Sequence, residues 1–236
     1  MIKYIFCIVF FLLCSLCFGQ EIVGMNLGFS SGYSFYAAKE DNNYTFQNGI
    51  PFQISFAIHS NNIIYSDVFC SFIYMPGKVN IAAEEAYRLD NDSESLMYGM
   101  EIYYGFGLHL FNTEKIKVPF TAGIHLKGTF IYADDNKSYY ISFIENTYGR
   151  DEYEFNDYYF GLGFNLGMQF YVNNRIYLFG RIQGAFDFIN YQETIVTVRW
   201  ATAFGKTGTD IYSNRNTRFT AAWGVSPHLG IGIRLM

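Results

Sequence analysis

The chain has 236 residues and a formal net charge of −5; hydrophobic residues make up 50% of it, aromatics 20% and charged residues only 16%. The acidic balance excludes a nucleic-acid partner, which would need a basic stripe. Beyond residue 19 no apolar run reaches the about 18 residues of a membrane-spanning helix, so strands must carry the apolar content.

Residues 1–19 read as a signal peptide. Lys3 forms a short basic start, Ile5 to Leu16 an apolar stretch, and Cys17-Phe18-Gly19 places small residues where a signal peptidase reads, so cleavage is expected before Gln20. Cys14 and Cys17 each follow a leucine, which weakens a lipoprotein alternative. Cleavage leaves Cys70 as the single cysteine, so the mature chain forms no intramolecular disulfide. Residues 20–236 are of a size for one barrel domain, with nothing left for a second domain.

Taken in chain order, eight segments alternate with a period of two, the mark of strands. In 23–35, Val23, Met25, Leu27, Phe29, Tyr33 and Phe35 share one face, and Gly24, Asn26, Gly28, Ser30, Gly32 and Ser34 the other. In 50–59, Phe52, Ile54 and Phe56 alternate with Gln53, Ser55 and Ala57. The segment 63–75 sets Ile64, Val68, Cys70, Phe72 and Tyr74 against Tyr65, Asp67, Phe69 and Ser71. In 98–110, Met100, Ile102, Tyr104 and Phe106 alternate with Glu101, Tyr103, Gly105 and Gly107; in 118–130, Phe120, Ile124 and Leu126 alternate with Thr121, His125 and Lys127. Residues 157–171 are the clearest case, with Phe160, Leu162, Phe164, Leu166, Met168 and Phe170 opposite Tyr159, Gly161, Gly163, Asn165, Gly167 and Gln169. In 176–188, Ile176, Leu178, Ile182 and Phe186 oppose Tyr177, Phe179, Arg181, Gln183 and Asp187; in 221–235, Trp223, Val225, Leu229, Ile231 and Ile233 oppose Gly224, Ser226, His228, Gly230, Gly232 and Arg234.

One face is therefore large and greasy, the other small and polar. In a lipocalin-like soluble barrel the glycines would lie outside, where they weaken strands without a packing gain. With the greasy face toward lipid, the glycines leave room for Tyr65, Tyr103, Tyr159 and Tyr177 in a narrow lumen.

Short connections (60–62, 112–115, 172–175) alternate with long ones (37–48, 76–95, 133–156, 190–216), as in a barrel with short periplasmic turns and long external loops. Termini on one side require an even strand count. The expected fold is an eight-stranded antiparallel up-and-down transmembrane β-barrel, with ten strands as the alternative; the further alternation in 138–144 and 194–200 is expected to extend hairpins above the membrane. Tyr74, Tyr98, Tyr132, Tyr158 and Trp223, near strand ends, fit an interfacial girdle.

On these strands, loops and leader, the mature chain resembles the small outer-membrane barrels of diderm bacteria, of the OmpA transmembrane-domain, OmpX and OmpW type. The resemblance implies export to the outer membrane, lipid and lipopolysaccharide or lipooligosaccharide as surroundings, and a monomer. It departs from the type at its end, Gly232-Ile233-Arg234-Leu235-Met236, where a terminal aromatic is usual.

The inward charged set is Asp67, Glu101, His125, Lys127, Arg181, Asp187, His228 and Arg234. Buried charges persist when paired, and face-matched pairing of 98–110 with 118–130 sets Glu101 against His125 or Lys127. A plug of ion pairs and hydrogen bonds is the leading expectation, and a narrow channel for small or hydrophobic solutes is the alternative. Ser226 and His228 share a face and could suggest a lipid A-modifying enzyme, but that face is luminal and the order of the two residues is the reverse of the deacylase pattern. The loops are acidic. Asp90-Asn91-Asp92-Ser93-Glu94 opens like a calcium loop but lacks the central glycine and late glutamate, so it reads as solvated. Tyr139, Tyr140, Phe143, Tyr148 and Trp200 offer an extracellular ligand a surface. The sequence supplies no catalytic set, metal spacing or cofactor motif. It reads as a non-enzymatic barrel with structural or surface-interaction roles.

Overall fold

The computed structural model describes residues 24–40, 43–59, 64–75, 94–134, 139–142, 147–202 and 206–235. The signal peptide, the turn 60–62 and most of the loop 76–95, including Asp90 to Ser93 of the calcium-like stretch, lie outside them.

Among the described residues the strands are β1 (Gly24–Gly32), β2 (Ser34–Glu40), β3 (Asn43–His59), β4 (Ile64–Tyr74), β5 (Glu94–Asn112), β6 (Ile116–Asp134), β7 (Tyr139–Ser142), β8 (Thr147–Tyr171), β9 (Ile176–Thr202) and β10 (Thr207–Arg234). All their pairings are antiparallel. β1 and β2 occupy one position in the ring, broken at Tyr33, and both lie between β10 and β3. β7 only borders β8. The closed ring thus has eight positions, and the ten-stranded alternative does not form.

Register sets the bore. From Leu27 the cross-strand partners run through Phe56, Val68, Tyr104, Ile124, Leu162, Phe186 and Trp223, and return to the first position at Ala37, ten residues along. At ordinary strand spacings a shear of ten over eight strands gives a tilt of about 40° and a backbone radius of about 8 Å. Tyrosines from the wall reach the axis of such a tube.

The two faces separate as their chemistry requires. Phe52, Ile54, Leu162, Met168, Leu178 and Phe186 point outward, each more than half exposed. Gln53, Ser71, Thr121, Asn165 and Gln183 point inward and are buried. An apolar belt this continuous is far beyond what water tolerates, and no helix among the described residues is long and apolar enough to cross a membrane. On the outer surface Phe72, Tyr98, Phe130, Tyr158 and Tyr191 make a continuous run of ring contacts, with Tyr74, Tyr132 and Trp223 also exposed outward.

The two ends differ. At one end the turns are tight. Thr113 N–H donates to the Ile116 carbonyl at 2.8 Å, and Asn173 Oδ1 accepts from both Arg175 and Ile176 N–H. Leu235 N–H bonds the Met25 carbonyl there, so the described ends of the barrel meet on this side. At the other end β8, β9 and β10 run on together. β9 carries an extra residue, Phe188, between Asp187 (paired with Gly161) and Ile189 (paired with Phe160). This bulge flips the parity of β9, so Asn190 joins the inner face. Beyond it, 190–202 pairs with both neighbours over about 40 Å of strand. The long connections expected at 133–156 and 190–216 are thus mostly ladder, and the one at 37–48 is the β2–β3 hairpin. The hairpin extension expected at 194–200 forms but runs further, and the residues flanking it read as loop because both faces of these strands meet water and the greasy-polar contrast weakens.

Candidate functional site

The lumen gathers side chains from every wall. At mid-height, β5 and β6 set Glu101 level with Lys127 and Tyr103 level with His125. The His125 ring lies between two carboxylates: Nε2 is 2.7 Å from Glu101 Oε1, and Nδ1 is 2.8 Å from Asp187 Oδ1. With both carboxylates ionised, each can only accept, so both ring nitrogens would donate and the ring would be an imidazolium. The second Asp187 oxygen accepts from the Tyr36 hydroxyl at 2.6 Å. Lys127 Nζ stands 3.4 Å from the centre of the Tyr36 ring, where a cation is favoured by the ring's electrons. In the fully ionised form two carboxylates, one imidazolium and one ammonium sum to zero, which makes such a group tolerable in a poorly solvated tube.

A second cluster lies nearer the turns. Arg181 Nη1 is 3.5 Å from Asp67 Oδ2, and Nη2 donates to Ser55 Oγ at 2.7 Å. Asn165 Nδ2 donates to the same Asp67 oxygen at 2.6 Å. The guanidinium also rests 4.5 Å from the Phe179 ring centre. Gln53 and Gln183 exchange amide hydrogen bonds across the lumen at 3.1 and 2.9 Å. A cavity of about 20 Å³ borders Asp67, Asn165, Arg181 and Tyr65, room for roughly one water. Lower still, His59 Nδ1 is 3.0 Å from His109 Nε2, and His59 Nε2 is 2.9 Å from Asn26 Nδ2.

Glycines make this crowding workable. A Cβ on Gly163 would come within 2.8 Å of the Tyr103 ring, which itself stacks on Phe69 with centroids 4.8 Å apart. A Cβ on Gly232 would overlap the Tyr177 ring.

Of the eight charged positions read from the sequence, Glu101, His125, Asp187 and Lys127 come together, and Asp67 with Arg181 forms the second cluster. His228 is buried, and neither ring nitrogen has a hydrogen-bond partner, so among the described residues it is not bonded to Ser226. Arg234 lies apart, at the turn-end mouth. Sequence reasoning missed Tyr36. Its signal was the parity of 24–34, which simply continues to residue 36. The uncharged members Ser55, Asn165 and the glutamine pair carried no charge signal. No group of three or more His, Cys, Asp or Glu among the described residues is placed to hold a metal ion.

No family model and no curated protein matches the chain. Among solved structures it is similar to a major outer membrane protein from Thermus thermophilus, at 10% identity over 89% of this chain and 99% of that one, with a TM-score of 0.54. It is also similar to Ail, the attachment invasion locus protein of Yersinia pestis, at 12% identity, 89% and 98% coverage and a TM-score of 0.44. The outer membrane protein OprG from Pseudomonas aeruginosa aligns at 8% identity, 92% and 98% coverage and a TM-score of 0.45. The likeness to the Thermus protein shows the fold, that of a bacterial outer-membrane barrel.

Proposed function

We propose that this chain is a non-enzymatic outer-membrane barrel, plugged by its own lumen side chains, whose ladder extension and loops meet partners outside the cell. The observation that carries the reading is the bridge from Tyr36 through Asp187 and His125 to Glu101, which crosses the lumen from the first ring position to β5. A solute would have to break several charge-assisted hydrogen bonds in a low-dielectric tube to pass. The apolar belt supports residence in a bilayer, with the tight turns toward the periplasm and the β8–β9–β10 extension outward. Export through a leader at 1–19 completes the route. Unpartnered nitrogens on His228 argue against a serine–histidine hydrolase.

Planar-bilayer recording tests the plug. The wild type is expected to give no steady conductance, and Glu101→Ala or Arg181→Ala, which leave their partners uncompensated, are expected to give intermittent openings. Steady wild-type conductance, or swelling of protein-loaded liposomes in small sugars, supports the narrow-channel reading instead.

A further inference from the structure

The geometry points to an anion site in the vestibule at the turn end, fitted to a phosphate-bearing group. This recess has a volume of about 1000 Å³ and is lined by Lys117 of β6, Arg175 of the β8–β9 turn and Arg234 of β10, with Glu114 as the acid among them and Thr113 and Asn174 as neutral hydrogen-bonding groups.

Three facts carry the assignment. Neither Lys117 nor Arg175 has a carboxylate partner among the described residues. The backbone also joins the strand end and the turn that carry two of the cations, and an aromatic ring flanks the third. Arg234 N–H donates to the Arg175 carbonyl at 2.7 Å, and Lys117 Nζ stands 5.4 Å from the Tyr171 ring centre. Finally, the concentration runs against composition, because the chain as a whole carries −5.

Cations from three separate elements suit the oxygens of a tetrahedral phosphate better than the two of a flat carboxylate. The phosphate could belong to a phospholipid headgroup at the inner surface of the membrane or to a free phosphate ester. The headgroup source rests on the orientation proposed above; the free source does not.

The full chain, folded in an uncharged detergent, is titrated calorimetrically with glycerol 3-phosphate at constant ionic strength, and its lipid adducts are read by native mass spectrometry with phosphatidylglycerol against phosphatidylcholine. Lys117→Gln and Arg175→Gln are each expected to weaken binding about tenfold, the scale of one charge-assisted hydrogen bond. Lys115→Gln, outside the recess, should leave binding unchanged. Binding of the free ester identifies a soluble ligand, and selective phosphatidylglycerol adducts without it identify a headgroup. Binding of neither probe, or binding indifferent to both substitutions in variants that still fold, overturns the site. Failure to enter liposomes would sink the membrane reading while leaving the detergent titration intact.

Discussion

The Tyr36 hydroxyl donates to Asp187 at 2.6 Å, joining β2 to β9 although β10 lies between them in the ring. The bond is a chord across the lumen rather than a rung of the sheet. It uses the Asp187 oxygen that His125 leaves free, so the two contacts do not compete.

Tyr36→Phe keeps the ring under Lys127 and removes only the donor. The expected loss is about 1.5–3 kcal/mol, as for a hydrogen bond to a charged group. Urea unfolding of the protein in lipid vesicles measures it, and a variant as stable as the wild type would deny the chord any weight.

His125→Ala is predicted to cost more, because it leaves Glu101 and Asp187 buried without their shared counter-ion. Breaking a buried pair in this way costs about 3–5 kcal/mol. The same unfolding assay reads it, and a loss no larger than that of Tyr36→Phe would show that water replaces the imidazolium.

Gly163→Ala should destabilise by about 1–3 kcal/mol, the usual cost of overpacking, because the new methyl meets the Tyr103 ring. Tyr103→Leu in the same chain should recover part of the loss. A double-mutant cycle without coupling would mean the strain lies elsewhere.

Leu166→Arg tests the outer face. Leu166 is midway along the exposed apolar run from Phe160 to Val172, and an arginine near the bilayer midplane costs about 2–4 kcal/mol. Ile211→Arg, in the extension and 68% exposed, should change stability by less than about 0.5 kcal/mol, as surface changes do. Equal effects at the two sites would contradict a membrane belt that ends below the extension.

Ser226→Ala should leave the lipid A mass profile of an expressing cell identical to that of the wild type. A mass shift produced by the wild type and lost in the variant would restore the enzyme reading.

The alternation alone determined the strands, their inward and outward faces and the closed architecture. Lipid outside and a tight lumen inside impose opposite demands on successive residues, so each position from Phe160 to Phe170 declares its side. The same logic set Glu101 opposite His125 or Lys127, since local hairpin register follows from matched faces; the ladder pairs it with Lys127, and its carboxylate reaches His125. Where both faces meet water, as in 190–202, the contrast weakens: the alternation at 194–200 reads as a hairpin extension, and only the ladder itself shows how far the strands run. The contacts across the tube were beyond reading for a different reason. Which of the inward groups meet depends on the shear of the ring, a sum over eight registers that no single segment encodes. That sum places Tyr36 on Asp187, 151 positions away, and puts Arg234 at the mouth with Lys117 and Arg175 rather than in the lumen network.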